Sequence, residues 1–205
     1  MSSNPARIVA VCAGRCAPLA VQDGGERAAV ISAIAKSAIS RLDAPVAVQV
    51  GLLGIAGDEQ ADPSVHGGPS QAVYVYPLEH YAFWGTVRMQ AQRAEPLAAG
   101  AMGENLLVEG LLEPSVWVGD RLLIGEVELC VESPRAPCFK FAARMGFAWA
   151  TKMMVQSGYT GFYCSVVRQG KLAAGDTVMV RPGERVVSIE QAHRLRHRSR
   201  QSRLF

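Results

Sequence analysis

The chain is predicted to be mainly β, a closed or near-closed β-barrel carrying several peripheral α-helices. Three observations lead there. Apolar residues come in short, strand-sized runs separated by turn formers. Twenty glycines are spread over the whole length, as tight turns between many strands require. There is neither a Rossmann glycine fingerprint nor a P-loop, so the common parallel nucleotide-binding architectures are excluded.

The elements follow in order. Arg7–Cys12 reads as a first strand, and a glycine loop at Gly24-Gly25 leads into a second short element carrying Ile31, Ile34 and Lys36. Val46–Val50 alternates and is a strand, followed by a glycine-punctuated loop that runs through Asp62 to Pro69. Ala72–Tyr76 is the next strand. Pro77 then opens a helix whose residues His80, Phe83, Trp84 and Val87 form one apolar stripe. Gly103–Val108 begins the second half. Trp117–Ile124 and Val127–Val131 form a hairpin turning at Gly125-Glu126. Helices are expected from about Pro137 to Arg144 and from Trp149 to Gln156, and the last strands at Phe162–Val167 and Gly175–Val180.

With 205 residues, about half of them hydrophobic, the chain is long enough to bury one core without staples. The expected organisation is a single domain over residues 7–181 and a basic C-terminal segment, 182–205, that is one helix or disordered. The formal charge of +3 is unevenly placed. Six arginines from Arg185 onward face one carboxylate, Glu190, which leaves the rest of the chain net acidic. A nucleic-acid binder needs its positive charge on the folded body, so that class is not expected. The five cysteines lack zinc-ribbon spacing, and their odd number leaves at least one free thiol, as suits a reducing cytosol. No apolar leader and no run of about 18 apolar residues is present, so the expectation is a soluble cytoplasmic protein without membrane contact.

Cys138 carries the chemistry. It sits in Pro134-Arg-Ala-Pro-Cys-Phe-Lys140, where a strand gives way to a helix. A helix N-terminus favours an anion by about 0.3–1 kcal/mol, and Arg135 and Lys140 favour a thiolate further. Such a thiolate is a nucleophile or a soft-metal ligand. The competing reading is packing, because Cys138, Ala142 and Met145 share one helical face. His66 is flanked by Gly67 and Gly68, which let the backbone approach a bound group and offer amide donors. Asp58 and Asp62 precede it, and either can orient the imidazole. His80 lies among Tyr81, Phe83 and Trp84 and reads as structural. Asn105 either reads a polar heterocycle or caps a turn, and Lys36 is an anion contact or a surface lysine. Cys12 and Cys16 give only a weak metal signal. A serine hydrolase is excluded for want of Gly-x-Ser-x-Gly. A thiol enzyme built from Cys138 with His66 or His80 stays open.

Six fragments in one order resemble the molybdenum-cofactor sulfurase C-terminal (MOSC) domain family. They are Gly54-Ile-Ala-Gly-Asp-Glu-Gln-Ala-Asp62 with His66-Gly-Gly-Pro69, Ala72 through Trp84, Gly103-Glu-Asn-Leu106, Val118-Gly-Asp120, Pro134 through Lys140, and Gln156-Ser-Gly-Tyr-Thr-Gly-Phe-Tyr163. The likeness covers residues 7 to 181 and is strongest to the stand-alone bacterial branch associated with resistance to N-hydroxylated base analogues. It implies a strand-rich barrel of the pyruvate-kinase type that binds the pyranopterin molybdenum cofactor, with Cys138 as the protein ligand to the metal. It further implies cofactor contacts from Lys36, His66, Gly67, Gly68, Asn105, Arg135 and Lys140. The implied reaction is two-electron reduction of an N–O bond in a hydroxylamine, amidoxime or N-hydroxylated purine. There Arg135 or Lys140 would stabilise negative charge, and His66 or Asp62 would manage protons. Electrons would come from a separate donor protein, since the chain has no iron–sulfur or flavin motif. The alternative is a domain that binds or carries the cofactor without turnover. One departure is visible. Relatives of this branch continue into a small three-helix segment, of which Ser188–Leu195 matches at most the beginning.

Overall fold

The computed structural model describes residues 5–23, 26–62 and 67–201. The first part of the chain is all strand: β1 (Arg7–Ala13), β2 (Ala17–Asp23), β3 (Glu26–Ser32), β4 (Ser37–Arg41), β5 (Val48–Gly51) and β6 (Gly54–Ile55). Then come β7 (Val73–Pro77), α1 (His80–Gln90), β8 (Leu106–Glu109), β9 (Arg121–Ile124) and β10 (Val127–Pro134). Helices α2 (Phe139–Met145) and α3 (Ala150–Ser157) follow, then β11 (Phe162–Arg168), β12 (Gly170–Leu172), β13 (Val178–Arg181) and α4 (Ile189–Gln201).

Eight strands form one sheet in the order β13-β9-β10-β11-β7-β8-β1-β4. All its pairs are antiparallel except β7 with β8, the two strands connected through α1. Strands β12-β5-β6 make a second sheet, and the β2–β3 hairpin stands as a third. The β9–β10 hairpin turns at Gly125-Glu126, as the sequence predicts. Gly125 has φ +55°, and a side chain there would meet the Lys171 carbonyl at 2.8 Å, so the turn needs a glycine.

Both faces of the large sheet are buried, and the strand period of two sorts the residues between them. Val73 and Val75 of β7 join Val11, Leu129 and Phe162 on one face, which packs toward β5 and β12. Tyr74 and Tyr76 join Trp84, Phe141, Met145 and Met154 on the other, which the helices cover. On that second face Trp84 Nε1 donates to the Tyr76 hydroxyl at 2.6 Å, so the fully buried indole is satisfied. Helix α4 starts at a capping box. Gln191 N–H donates to Ser188 Oγ at 3.2 Å, and Ser188 N–H donates to Gln191 Oε1 at 3.0 Å. Its Ile189 is wholly buried in the first core. Among the described residues, no helix is long and apolar enough to cross a membrane.

The predicted closed or near-closed barrel is not what forms. The fold is mixed α/β, with three separate sheets and peripheral helices, and the edge strands β13 and β4 do not pair with each other. A bridge between Arg7 and Thr177 ties the start of β1 to the chain before β13, but it is isolated and no ladder grows from it. The physical reason lies in β7 and β8. Their parallel pairing through a helix covers one face with α1, and short alternating strands specify a pleated surface without specifying whether its edges meet.

Glu113 fastens the helical layer to the sheet. It is buried, accepts from Gly161 N–H at 2.8 Å, and pairs with His80 Nε2 at 2.7 Å. The His80 ring in turn stacks on Tyr159 at 3.9 Å. His80 is therefore a framework residue. Glu113→Ala strands both partners in a buried setting and is expected to cost about 3 kcal/mol, read from urea unfolding midpoints. A loss below about 1 kcal/mol would refute the fastening role.

Candidate active-site cleft

The chain ends of several strands converge on a cleft of about 120 Å³. One wall comes from the turn between β3 and β4, with Lys36, and from the chain after β6, with Asp58 and Gln60. The floor is Tyr74 of β7 and Asn105 just before β8. The far wall is Arg135, Cys138 and Lys140, where β10 passes into α2, with Tyr163 of β11. The segment between Asp62 and Gly67 lies outside the described residues, so this volume is that of the described walls alone.

Asp58 is the hub. Its carboxylate accepts from Gly14 N–H at 2.8 Å and from Asn105 Nδ2 at 2.8 Å, and it is ion-paired with Lys36 Nζ. Burial pushes the Lys36 ammonium below its ordinary value, and the Asp58 charge opposes that shift. Asn105 is engaged at both ends of its amide. Oδ1 accepts from Tyr74 N–H at 3.0 Å, and Nδ2 also reaches the Cys12 carbonyl at 3.3 Å. The side chain thus stitches β1 to β7 while lining the cleft.

Arg135 is 5% exposed, and among the described residues no carboxylate pairs with it. Nη1 donates to the Met102 carbonyl, and the guanidinium lies over the rings of Tyr74 at 4.7 Å and Phe141 at 4.9 Å. Burial works against its charge, yet Tyr74, Tyr163 and Cys138 around it hold its pKa above the ordinary value. Burial likewise raises the phenols of Tyr74 and Tyr163, so both stay protonated.

Cys138 is half-buried and caps α2 in extended conformation, φ −122° and ψ 177°. Pro137 therefore precedes the helix rather than lying in its first turn, because α2 begins only at Phe139. The Cys138 backbone is engaged, its carbonyl accepting from Phe141 N–H at 3.0 Å, while its side chain makes no cap bond. Lys140 is held loosely, its Nζ 3.4 Å from the Ile31 carbonyl of the β2–β3 hairpin.

Seven of the residues singled out in the sequence thus meet here: Lys36, Asp58, Gly67, Asn105, Arg135, Cys138 and Lys140. Gly68 does not line the cleft; its N–H donates to Gln60 Oε1 at 2.9 Å and it opens the short turn Pro69–Gln71. Asp62 is half-buried and is not among the lining residues. His66 lies outside the described residues. Tyr74, Tyr163 and Gln60 were not legible as site residues. The two tyrosines sit in alternating strands, where an aromatic residue reads as core. Asp58, expected with Asp62 as a candidate to orient the His66 imidazole, holds Lys36, and His66 itself lies outside the described residues.

Glu104 shapes the loop that delivers Gly103 and Asn105. It is fully buried and accepts from Gly100 N–H at 2.6 Å, Met102 N–H at 3.0 Å and the Tyr81 hydroxyl. Burial raises its pKa, and these three donors only partly counter that. The folded state keeps a proton that the unfolded chain has already released. Its contribution to stability therefore falls as pH climbs from about 4.5 through the folded value. Wild type is expected to lose stability relative to Glu104→Gln between pH 4 and pH 7, measured by urea midpoints. A difference that stays constant with pH would sink this.

The family model for the MOSC domain matches residues 62–179. The uncharacterized protein YflK of Bacillus subtilis is 40% identical over 142 residues, 69% of this chain and 62% of YflK. The chain thus spans only about three fifths of that relative. A protein named a reductase in Gibberella moniliformis is 34% identical over 85% of this chain, which corresponds to 29% of that protein. The crystal structure of YiiM from Geobacillus stearothermophilus superposes with a TM-score of 0.72 at 27% identity, covering 96% of this chain and 86% of that one. The motif order, the cleft and these matches converge: the chain belongs to the MOSC domain family and is homologous to the bacterial YflK and YiiM proteins.

Proposed function

We propose that this protein is an oxidoreductase that holds the pyranopterin molybdenum cofactor in the cleft and reduces the N–O bond of N-hydroxylated compounds. The observation that carries the reading is Cys138 sharing that cleft with Arg135, a buried cation for which the described protein supplies no carboxylate.

The residues fit such a group. Among the described residues no cluster of three or more His, Cys, Asp or Glu could hold a bare metal ion. A metal already held by a dithiolene needs only one soft protein ligand, and Cys138 is that kind of ligand. An anionic, phosphate-bearing cofactor needs positive charge and backbone donors, which Arg135, Lys140 and the Gly67 turn supply. When bound, the cofactor would supply the two-electron chemistry that turns an N-hydroxyl into amine and water.

The chain's own contribution is placement. Arg135 is held by the Met102 carbonyl and two rings, so its charge costs no reorganisation during reaction. Tyr163, kept protonated by burial, holds a proton at its phenolic oxygen on the cleft wall. Lys140, tethered at one long bond, is free to follow a ligand. Lys36 is committed to Asp58 and acts on a ligand through that pair. Electrons would come from a separate donor protein; the reductase name of the Gibberella relative, a protein more than three times the matched length, accords with redox use of the domain.

The test is molybdenum and pterin content in wild type and Cys138→Ala purified from a cofactor-producing host. Stoichiometric metal is expected in wild type. In the variant its thiolate absorption and donor-linked N–O reduction should be lost, with the urea midpoint held within about 1 kcal/mol. Equal metal content and activity in the two proteins would refute Cys138 as ligand. Retained cofactor without turnover on any N-hydroxylated substrate would make the protein a carrier.

A further inference from the structure

A second cavity, of about 420 Å³, lies beyond the β4 turn, between α1 and the end of α2. Arg41, Arg88 and Arg144 line it, and among the described residues no carboxylate does. Lys36 borders it too, but its Nζ is engaged by Asp58 in the first cleft.

The arginines are held unusually. Arg88 is fixed by the Met145 carbonyl at 3.2 Å and by Glu95, whose side chain is 76% exposed. Its Nε is buried without a partner. Arg144, in the last turn of α2, has no hydrogen bond or ion pair among the described residues, and its Nε is also buried and unsatisfied. Among the described residues, the Arg41 side chain pairs with the exposed Asp43. Desolvated donors without acceptors cost stability, and native proteins seldom keep two of them together without a use. Among the described residues Arg144 has no counter-charge, and the carboxylates that pair with Arg88 and Arg41 are themselves exposed, which leaves these cations open to an oxyanion ligand. The planar fork of arginine matches phosphate oxygens better than a point charge does. The remaining wall, Pro96 to Ala99 with Ala101 and Met145, is largely apolar and suits an organic body. The volume falls within the range of about 300–1,000 Å³ typical of small-molecule sites.

We propose that this cavity binds a small phosphorylated organic molecule of mononucleotide size, at a site separate from the Cys138 cleft. Calorimetric titration of the full chain with adenosine 5′-monophosphate, inorganic pyrophosphate and uncharged adenosine tests it. Both anions are expected to bind one to one and adenosine not to bind. Arg144→Gln and Arg41→Gln should each weaken the anions about tenfold or more, while Lys140→Gln leaves them unchanged. Arg144 gives up no hydrogen bond or ion pair to the described residues on substitution, so its variant should retain the wild-type circular dichroism. Absence of binding by both anions at about 1 mM would overturn the proposal. Affinity unchanged in both arginine variants would do so as well. Affinity lost in Lys140→Gln instead would assign the anion to the first cleft and overturn it equally.

Discussion

The carboxylate of Asp58 sits where three otherwise independent pieces of chain have to agree. It fixes the end of β1 through Gly14 N–H, the loop before β8 through Asn105, and the β3–β4 turn through Lys36. Side-chain exposures of 8% for Asp58 and 9% for Lys36 make this a buried pair. Such a pair gives little net stability when intact, but losing one partner typically costs about 3–5 kcal/mol. Its value lies in specificity. With Asp58 satisfied, only one arrangement of the three segments leaves no charge stranded, and that arrangement is the floor and near wall of the cleft. Asn105 extends the constraint into β7, because its amide oxygen holds Tyr74 N–H while its backbone pairs with Cys12 and Tyr74.

The opposite wall depends on the two-faced sheet. Tyr74 points to the helical face because Val73 and Val75 occupy the other, and its ring then becomes one of the two that flank Arg135. Phe141, the second ring, belongs to α2, the helix that Cys138 caps. Packing of α2 on the sheet and positioning of Arg135 are therefore one event. The thiol is delivered beside the guanidinium by the same contacts. Arg135 N–H also donates to the Gly161 carbonyl, joining the wall to the segment that Glu113 anchors.

Much of this was legible and some was not, for reasons that differ residue by residue. Strand identity at Arg7–Cys12, Val127–Val131 and Phe162–Val167 followed from local alternation, which the backbone obeys. Closure of the sheet did not follow, since it is decided by which edges meet and by the parallel β7–β8 pair. Cys138, Arg135 and Lys140 were readable because they are close in sequence and chemically conspicuous. Asp58 with Lys36 was not, because the two are 22 residues apart and the pairing is purely tertiary. Tyr163 was hidden by its own strand pattern, for an aromatic at an alternating position is indistinguishable from core until the neighbouring wall is known. Strand β12 was missed because three residues carry too little pattern to register.

Charge distribution gives the cleft its character. Of the three Lys and Arg cations among its described lining residues, Lys36 is neutralised locally, Arg135 is buried without a counter-charge among the described residues, and Lys140 is half-buried and weakly held. Arg135 is the cation whose position is fixed, by a carbonyl and two rings. A mobile lysine would lose part of its effect to solvent and to side-chain entropy, while a guanidinium fixed in a low-dielectric wall loses little. Burial raises the phenols of Tyr163 and Tyr74, so both keep their protons on this wall. An anion entering beside Cys138 would thus meet one permanent positive charge at depth and one adjustable charge at the mouth. That ordering favours a ligand whose negative groups are spread along its length over one with a single compact charge.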